Sequence, residues 1–318
     1  MTARPADRRP LGRTGLQVSP VCIGTSPLAS MPALYGYEVA QERAEETIRE
    51  TLRGPFNFLD TANGYGGGSA EQRIGHVLAA AGGIPPGFVL ATKVDAAPDT
   101  GDFSGDRVKR SVEESLGRLG LGQVQLMYLH DPEYHLTFGE ALADGGPVAA
   151  MTELQAEGVL GHLGVAGGPV RLMRDFVATG VFDVVLSHNR FTLVDRSAGP
   201  LLDAAQAGGV AFVNGAPYGG GILAKGPDAQ PRYAYRPASE AVRGAVARMQ
   251  GACARHGVPL AAAALQFSLR EPRVTSTVVG VSEPSRIGGV CDLMAEQIPD
   301  DLWAELDSLS PEPELWLN

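Results

Sequence analysis

Phe58-Leu59-Asp60-Thr61-Ala62-Asn63-Gly64-Tyr65-Gly66 decides how the rest of this chain is read. A short apolar strand ends in a carboxylate, and a tyrosine flanked by glycines follows five residues later. Alone, such a stretch is an ordinary strand-to-loop exit, its Asp a loop cap and its Tyr a packed ring. Two later strand ends change that reading. Val89-Leu90-Ala91-Thr92 runs into Lys93, and the apolar run from Val124 to Leu129 runs into His130. Asp, Tyr, Lys and His, each just past an apolar run, form a set able to tune a phenol for proton transfer.

Outward from these three strand ends, short β-like runs alternate with amphipathic helical stretches, the pattern of parallel βα units. Candidate strands are Val21 to Gly24, Asn57 to Asp60, Val89 to Lys93, Val124 to Leu129, His162 to Val165, Val184 to Leu186, Ala211 to Asn214 and Thr277 to Gly280. Most lack strict alternation, as expected of strands covered by helices. Between them, Ser69-x-x-Gln72 reads as a capping box, and Ser104 as the cap of a helix carrying Val108, Val112, Leu116 and Leu119 on one face. Pro169 suits a first helical position and Gly180 a helix end, while Val242, Val246, Met249 and Cys253 make another apolar stripe. Pro10 to Val18 predicts a hairpin closing the bottom of the barrel. The Gly-, Pro- and Tyr-rich segment from Gly219 to Pro237 predicts a long loop after the seventh strand. Eight strands give a (β/α)8 TIM barrel with an N-terminal β-hairpin. With no Pro/Ser-rich linker and no repeat, one domain over residues 1–318 is expected.

Composition narrows the function classes. A formal charge of -10 disfavours a nucleic-acid surface, which requires clustered Lys and Arg. Cys22, Cys253 and Cys291 are odd in number and far apart, so neither a disulfide framework nor a Cys-x-x-Cys motif is expected. Arg4, Arg8 and Arg9 precede no apolar stretch, and the run Leu260 to Leu265 is too short to span a bilayer. A cytoplasmic enzyme without membrane or nucleic-acid partners is expected. Nothing in the sequence indicates an oligomeric state.

Eight βα units bring every strand's C-terminal end to one mouth, where barrel enzymes build their sites. Asp60, Tyr65, Lys93 and His130 would meet there. A free tyrosine, with a pKa near ~10, is a poor base at neutral pH. A Lys93 ammonium beside it favours the phenolate, Asp60 would keep that ammonium charged and in place, and His130 could orient the reacting oxygen.

These residues, together with several others in order, resemble the aldo-keto reductase superfamily over nearly the whole chain. The opening Pro-Leu-Gly-Arg-Thr-Gly-Leu-x-Val-Ser at Pro10 to Ser19 leads into Ile23-Gly24-Thr25. Phe58 to Ala62 with Tyr65 and Gly66 looks like the first signature, and Ala91-Thr92-Lys93 and Tyr128-Leu129-His130 match the next two. Val278 to Ile287 looks like the cofactor-adenosine segment. The resemblance implies a barrel that binds a nicotinamide dinucleotide without a Rossmann fold, and neither Gly-x-Gly-x-x-Gly nor a P-loop occurs here. It implies Tyr65 as proton donor or acceptor, Lys93 and Asp60 as its tuners and His130 as substrate orienter. It also implies cofactor contacts from Gly24, Thr25, Asp60 and His188, from Ala216, Pro217, Tyr218, Gly219 and Gly221, and from Gly280, Ser282 and Arg286.

Some positions depart from the family. Its usual Ser-Asn after the fifth strand is Ala166-Gly167 here, its Gln after the sixth is His188, and its tyrosine after the seventh is replaced within Asn214-Gly215-Ala216-Pro217, with Tyr218 close by. His130-Asp131-Pro132-Glu133 and Asn214 to Tyr218 resemble the branch of L-fucose, D-threo-aldose and L-galactose dehydrogenases, with pyridoxal 4-dehydrogenase a relative. That branch oxidises a cyclic hemiacetal to a lactone.

The expected function is therefore NAD(P)-dependent oxidation of an aldose at its anomeric carbon, Tyr65 serving as general acid/base. NAD is expected over NADP, because Gly280 stands where NADP users often carry Lys and Glu283 adds an anion. The partner is a small sugar or aldehyde. The alternatives are an NADPH-dependent aldehyde or ketone reductase, a nonenzymatic ligand sensor, and a metal-dependent barrel hydrolase using His130, His135 and His188; no metal is expected. Tyr35, Phe138, Tyr233, Tyr235 and Trp316 are candidate wall residues.

Overall fold

The computed structural model describes residues 3–317, so the ends of the expected 1–318 span, residues 1–2 and 318, lie outside the described residues. A hairpin of β1 (Arg9–Pro10) and β2 (Gln17–Val18) precedes the barrel strands β3 (Val21–Gly24), β4 (Phe58–Asp60), β5 (Val89–Val94), β6 (Val124–His130), β7 (Leu160–Gly167), β8 (Val184–His188) and β9 (Ala211–Gly215). A two-stranded ribbon of β10 (Arg232–Tyr233) and β11 (Arg236–Pro237) lies in the long loop, and β12 (Val274–Gly280) is the last strand of the barrel. The sheet closes in the order β12-β3-β4-β5-β6-β7-β8-β9, and every pairing is parallel. The chain is a (β/α)8 barrel.

Strand periodicity explains both the core and the site. Inside the barrel, Phe58, Val89, Ala91, Leu126, Tyr128, Val184 and Leu186 pack together, and Leu11 and Val18 of the hairpin close the bottom. Side chains two residues apart on a strand share a face. Asp60, Lys93, His130 and His188 each stand two residues beyond one of these interior residues, so the same alternation lifts them into the top layer at the mouth. Tyr128 fills the floor beneath this layer. Its ring occupies the space over Gly164, where an added Cβ would fall 2.4 Å from Tyr128 Cδ1.

Outward-facing strand residues pack against the helices in two further clusters. The helix Gly105–Leu119 is capped by Ser104, whose side chain accepts the Arg107 N–H; such a cap is worth about 1 kcal/mol. Val242, Val246, Met249 and Cys253 form the buried stripe of Glu240–Arg255. The expected box at Ser69 does not form. Gly66, Gly67 and Gly68, all at positive φ, turn the chain so that Ser69 is already the first helical residue, and its hydroxyl donates to the Ala29 carbonyl at 2.8 Å. Pro169 precedes the helix Val170–Ala178 as its cap. The segment after β9 is more ordered than a plain loop, holding the helix Ile222–Lys225 as well as the ribbon. Among the described residues, no helix is long and apolar enough to cross a membrane.

Candidate active site

The mouth of the barrel holds a cavity of about 330 Å³, within the roughly 300–1,000 Å³ range of small-molecule sites. Lys93 is its organising charge. Its ammonium donates to Asp60 Oδ1 at 2.6 Å, to the Thr61 carbonyl at 2.7 Å and to Tyr65 Oη at 3.1 Å. Parallel register makes this reach possible: Asp60 sits opposite Ala91, so β5 runs on past the end of β4. The ladder continues through Thr61 N–H to Ala91 O and Asn63 N–H to Lys93 O, delivering Gly64 and Tyr65 over the mouth.

Burial raises the Tyr65 pKa well above that of a free phenol, and the carboxylates of Asp60, Asp131 and Asp95 push the same way. Lys93 stands against the same oxygen, as the sequence predicts, but the net direction in the free protein is upward. The ammonium touches the oxygen, but burial and the surrounding anions outweigh it. Tyr65 therefore rests as a neutral phenol, the form that donates a proton.

His130 lies edge-on to Tyr65, with ring centroids 5.7 Å apart. Its Nδ1 is 2.6 Å from Asp95 Oδ1, and its Nε2 is 3.8 Å from Asp131 Oδ2. Burial alone would lower the His130 pKa; Asp95 and Asp131 reverse that, and the net shift is upward. Burial likewise opposes ionisation of Asp131, but His130 and His188 hold its carboxyl down to about 2. His188 Nε2 lies 3.5 Å from Asp131 Oδ1, and its Nδ1 meets the Asn189 side-chain amide at 3.1 Å. Three residues just past strand ends, Asp131, Asn189 and Ala216, adopt positive φ. Backbone held in that sparsely populated region concentrates at functional sites.

Asp60, Tyr65, Lys93 and His130 all line the cavity, as do Gly24, His188, Ala216 and Gly280. Thr25 is fully buried and spends its hydroxyl on the Asp60 carbonyl. Pro217, Tyr218, Gly219, Gly221, Ser282 and Arg286 do not line it. Tyr218 nevertheless has a buried, unpartnered hydroxyl within reach of the Arg286 charge. Of the five wall candidates, Tyr35 and Tyr235 face the cavity. Phe138 packs on Phe176, Tyr233 donates to the Asn189 carbonyl, and Trp316 donates to the Pro311 carbonyl. His135 stacks edge-on against Phe103; among the described residues the triad whose ligand atoms converge is Asp131, Glu133 and His188.

The sequence reading missed Asp95. The signal was present, since Asp95 stands two residues past Lys93 and so shares its face.

The mouth also fits a nicotinamide dinucleotide. Asn189 Oδ1 and the Tyr218 hydroxyl, outside the cavity lining, are buried without a hydrogen-bond partner, and Asp131 Oδ1 has the His188 ring at 3.5 Å. Gly24, Gly215 and Gly280 leave room there that a Cβ would fill, at 2.8 to 3.0 Å from neighbouring atoms.

Comparison with known proteins agrees with this geometry. The model of the Aldo/keto reductase family matches residues 20–311. Pyridoxal 4-dehydrogenase of Microbacterium luteolum is 30% identical, over 97% of this chain and 98% of its own. L-galactose dehydrogenase of Arabidopsis thaliana is 33% identical, over 88% and 85%, and D-threo-aldose 1-dehydrogenase of a Pseudomonas species is 31% identical, over 79% and 83%. The fold is also that of an aldo-keto reductase from Bacillus halodurans in its holo form, with TM-score 0.78 and 22% identity over 96% of this chain and 97% of that one. The chain belongs to the aldo/keto reductase family and is an oxidoreductase of that family.

Proposed function

We propose that this barrel, acting as one domain, oxidises the anomeric carbon of an aldose to a lactone with NAD(P), Tyr65 moving the proton. The carrying observation is the Asp60–Lys93–Tyr65 chain opening onto a cavity that His130 and Asp131, from the neighbouring strand end, also line. Among the described residues Tyr65 Oη is the phenol oxygen hydrogen-bonded to a cation there, and as phenolate it would take the anomeric hydroxyl proton. Lys93 stabilises that phenolate, and Asp60 holds the ammonium in place. His130 orients the same oxygen. Asp131, ionised and lining the cavity, suits the hydroxyl groups of a sugar, each of which can donate to it.

When bound, the oxidised nicotinamide accepts hydride and adds a positive charge that favours the Tyr65 phenolate. Gly24, Asp60, His188 and Ala216 would hold its nicotinamide half, and Gly280 lies in the segment assigned to its adenosine half. Thr25, Pro217, Tyr218, Gly219, Gly221, Ser282 and Arg286 are assigned to the rest. NAD is favoured over NADP. Glu283 Oε1 lies 3.3 Å from Arg286 Nε, so the carboxylate repels a 2′-phosphate and also occupies the guanidinium that would bind one.

The names of the relatives above support a sugar or another cyclic hydroxyl compound. A second reading, an NADPH-dependent aldehyde or ketone reductase, is favoured by one observation: Tyr65 rests in its proton-donating form. Following reduced-cofactor absorbance across aldoses with NAD and NADP, and across aldehydes with the reduced cofactors, decides between them. A kcat/KM for every aldose below that for simple aldehydes in reverse sinks the dehydrogenase reading.

A further inference from the structure

His130 is held between two carboxylates from neighbouring strand ends. Asp95, one residue past β5, approaches Nδ1 to 2.6 Å, and Asp131 stands 3.8 Å from Nε2. Asp95 is itself fixed. Its Oδ2 accepts the Gly64 N–H at 2.6 Å, and its own N–H donates to Ser111 Oγ at 3.2 Å. A Cβ on Gly64 would lie 3.1 Å from the Asp95 carboxyl, so the close approach relies on glycine there. Gly64 immediately precedes Tyr65. One carboxylate thus sets the position of both the imidazole and the backbone that carries the phenol.

The donor arithmetic assigns the proton. An ionised carboxylate accepts and cannot donate, so at 2.6 Å the shared hydrogen must sit on Nδ1. Nε2 then faces the cavity and Asp131. The other groups facing the imidazole are Lys93 on β5, which opposes its positive charge, and the neutral Tyr65. His188 acts only through Asp131. Two anions against one cation favour the imidazolium, and one anion is in direct contact.

We propose that Asp95 is a positioning residue that pins His130 with a proton on Nδ1 and holds the imidazole in its charged form, making Nε2–H a cationic donor to the oxygen that exchanges its proton with Tyr65. The proposal rests on the oxidoreductase reading only for the identity of that oxygen. Proton transfer itself stays between the substrate oxygen and Tyr65 Oη; His130 lends a hydrogen bond and a charge. Such a donor stabilises a developing alkoxide in either direction of the reaction. The burial-opposed upward shift at His130 and the downward shift at Asp95, each driven by the other, agree with this pairing.

The test is Asp95→Asn. Asn has a single oxygen, which Gly64 N–H retains, so its NH2 must turn toward Nδ1 and drive the neutral imidazole to the Nε2–H tautomer. Long-range 1H–15N correlation spectra of the cofactor-free protein, titrated over about pH 5–9 and assigned with His130→Gln, read both the midpoint and the tautomer. Wild-type His130 should titrate above the ordinary value of about 6.5, with Nδ1–H in its neutral form. In Asp95→Asn the midpoint should fall by at least about one pH unit and the tautomer should invert. Asp131→Asn should lower the midpoint less, since that contact is longer. A wild-type midpoint at or below the ordinary value overturns the proposal, as does an unchanged midpoint in Asp95→Asn. Kinetics supply the second arm. Asp95→Asn should slow turnover about tenfold in the wild-type background and by less than about twofold with Gln at position 130; equal losses in both would make Asp95 a folding residue only. If the sugar-oxidation reading fails, no variant turns over an aldose, yet the titration still decides whether Asp95 holds the His130 charge.

Discussion

Replacing Lys93 with Met tests what its buried charge contributes, and the cost follows from its contacts. The ammonium spends its three protons on Asp60 Oδ1, the Thr61 carbonyl and Tyr65 Oη. Met fills the space of the stem but strands the Asp60 carboxylate, whose side chain is 5% exposed. Breaking a buried pair from one side costs about 3–5 kcal/mol. At about 2.1 cal/mol/K per residue, a chain of 318 residues unfolds with an entropy near ~0.7 kcal/mol/K, so ~4 kcal/mol is a Tm loss of about 6 °C. Adding Asp60→Asn to Lys93→Met removes the stranded charge and should recover at least about half of the loss. Turnover should fall by about 10²-fold or more in both variants, because neither keeps a cation at Tyr65 Oη. Scanning calorimetry with one kinetic assay reads all of this. A double variant no more stable than Lys93→Met alone refutes the reasoning, since the cost would then lie in packing and not in the charge.

Tyr65→Phe should cut turnover by about 10²-fold or more while dinucleotide affinity, read by fluorescence quenching, changes by less than about threefold; a variant keeping a tenth of wild-type rate is incompatible with Tyr65 as the proton-transfer group. Asp131, held at about 2 mainly by His130 and His188 against the opposing effect of burial, has a depressed folded-state value. Its contribution is therefore complete above the ordinary carboxylate value near ~3.9 and disappears as pH falls toward 2. The stability gap between wild type and Asp131→Asn, measured by urea denaturation, should accordingly close on acidification, and a constant gap down to about pH 2.5 contradicts the shift. Glu283→Lys should raise kcat/KM for NADP relative to NAD by about tenfold or more, turning a repulsion into a phosphate contact and releasing Arg286; an unchanged ratio removes this segment from cofactor choice.

The barrel was legible because its signals are local and repeated. The barrel strands are short apolar runs, and helices such as Glu240–Arg255 carry a stripe, here Val242, Val246, Met249 and Cys253, so no single misjudged boundary disturbs the order. What failed were ends set by neighbours. Ser69 has the residue pattern of a cap, but three glycines at positive φ decide where the helix begins. The segment from Gly219 to Pro237 reads as loop because its two-residue strands are too short to show alternation, and their pairing of Tyr233 with Arg236 is a tertiary fact.

The site divides in the same way, and the division has a chemical reason. Asp60, Lys93 and His130 were readable because each closes an apolar run on the face that points inward. Their protonation states were not readable, because those depend on what stands opposite. Lys93 touches Tyr65 Oη, yet burial and three carboxylates keep the phenol protonated. Burial alone would push the His130 pKa down, yet Asp95 and Asp131 turn the net shift upward. At His130 the carboxylates at the mouth reverse the effect of burial and at Tyr65 they reinforce it, and two of them, Asp95 and Asp131, act on both groups. The same anions that make the phenol a reluctant base make the imidazole a ready cation. In the dehydrogenase reading, a bound cationic nicotinamide would act against them at Tyr65 and would favour the ionised phenol. That coupling would confine the basic form of the site to the complex able to use it.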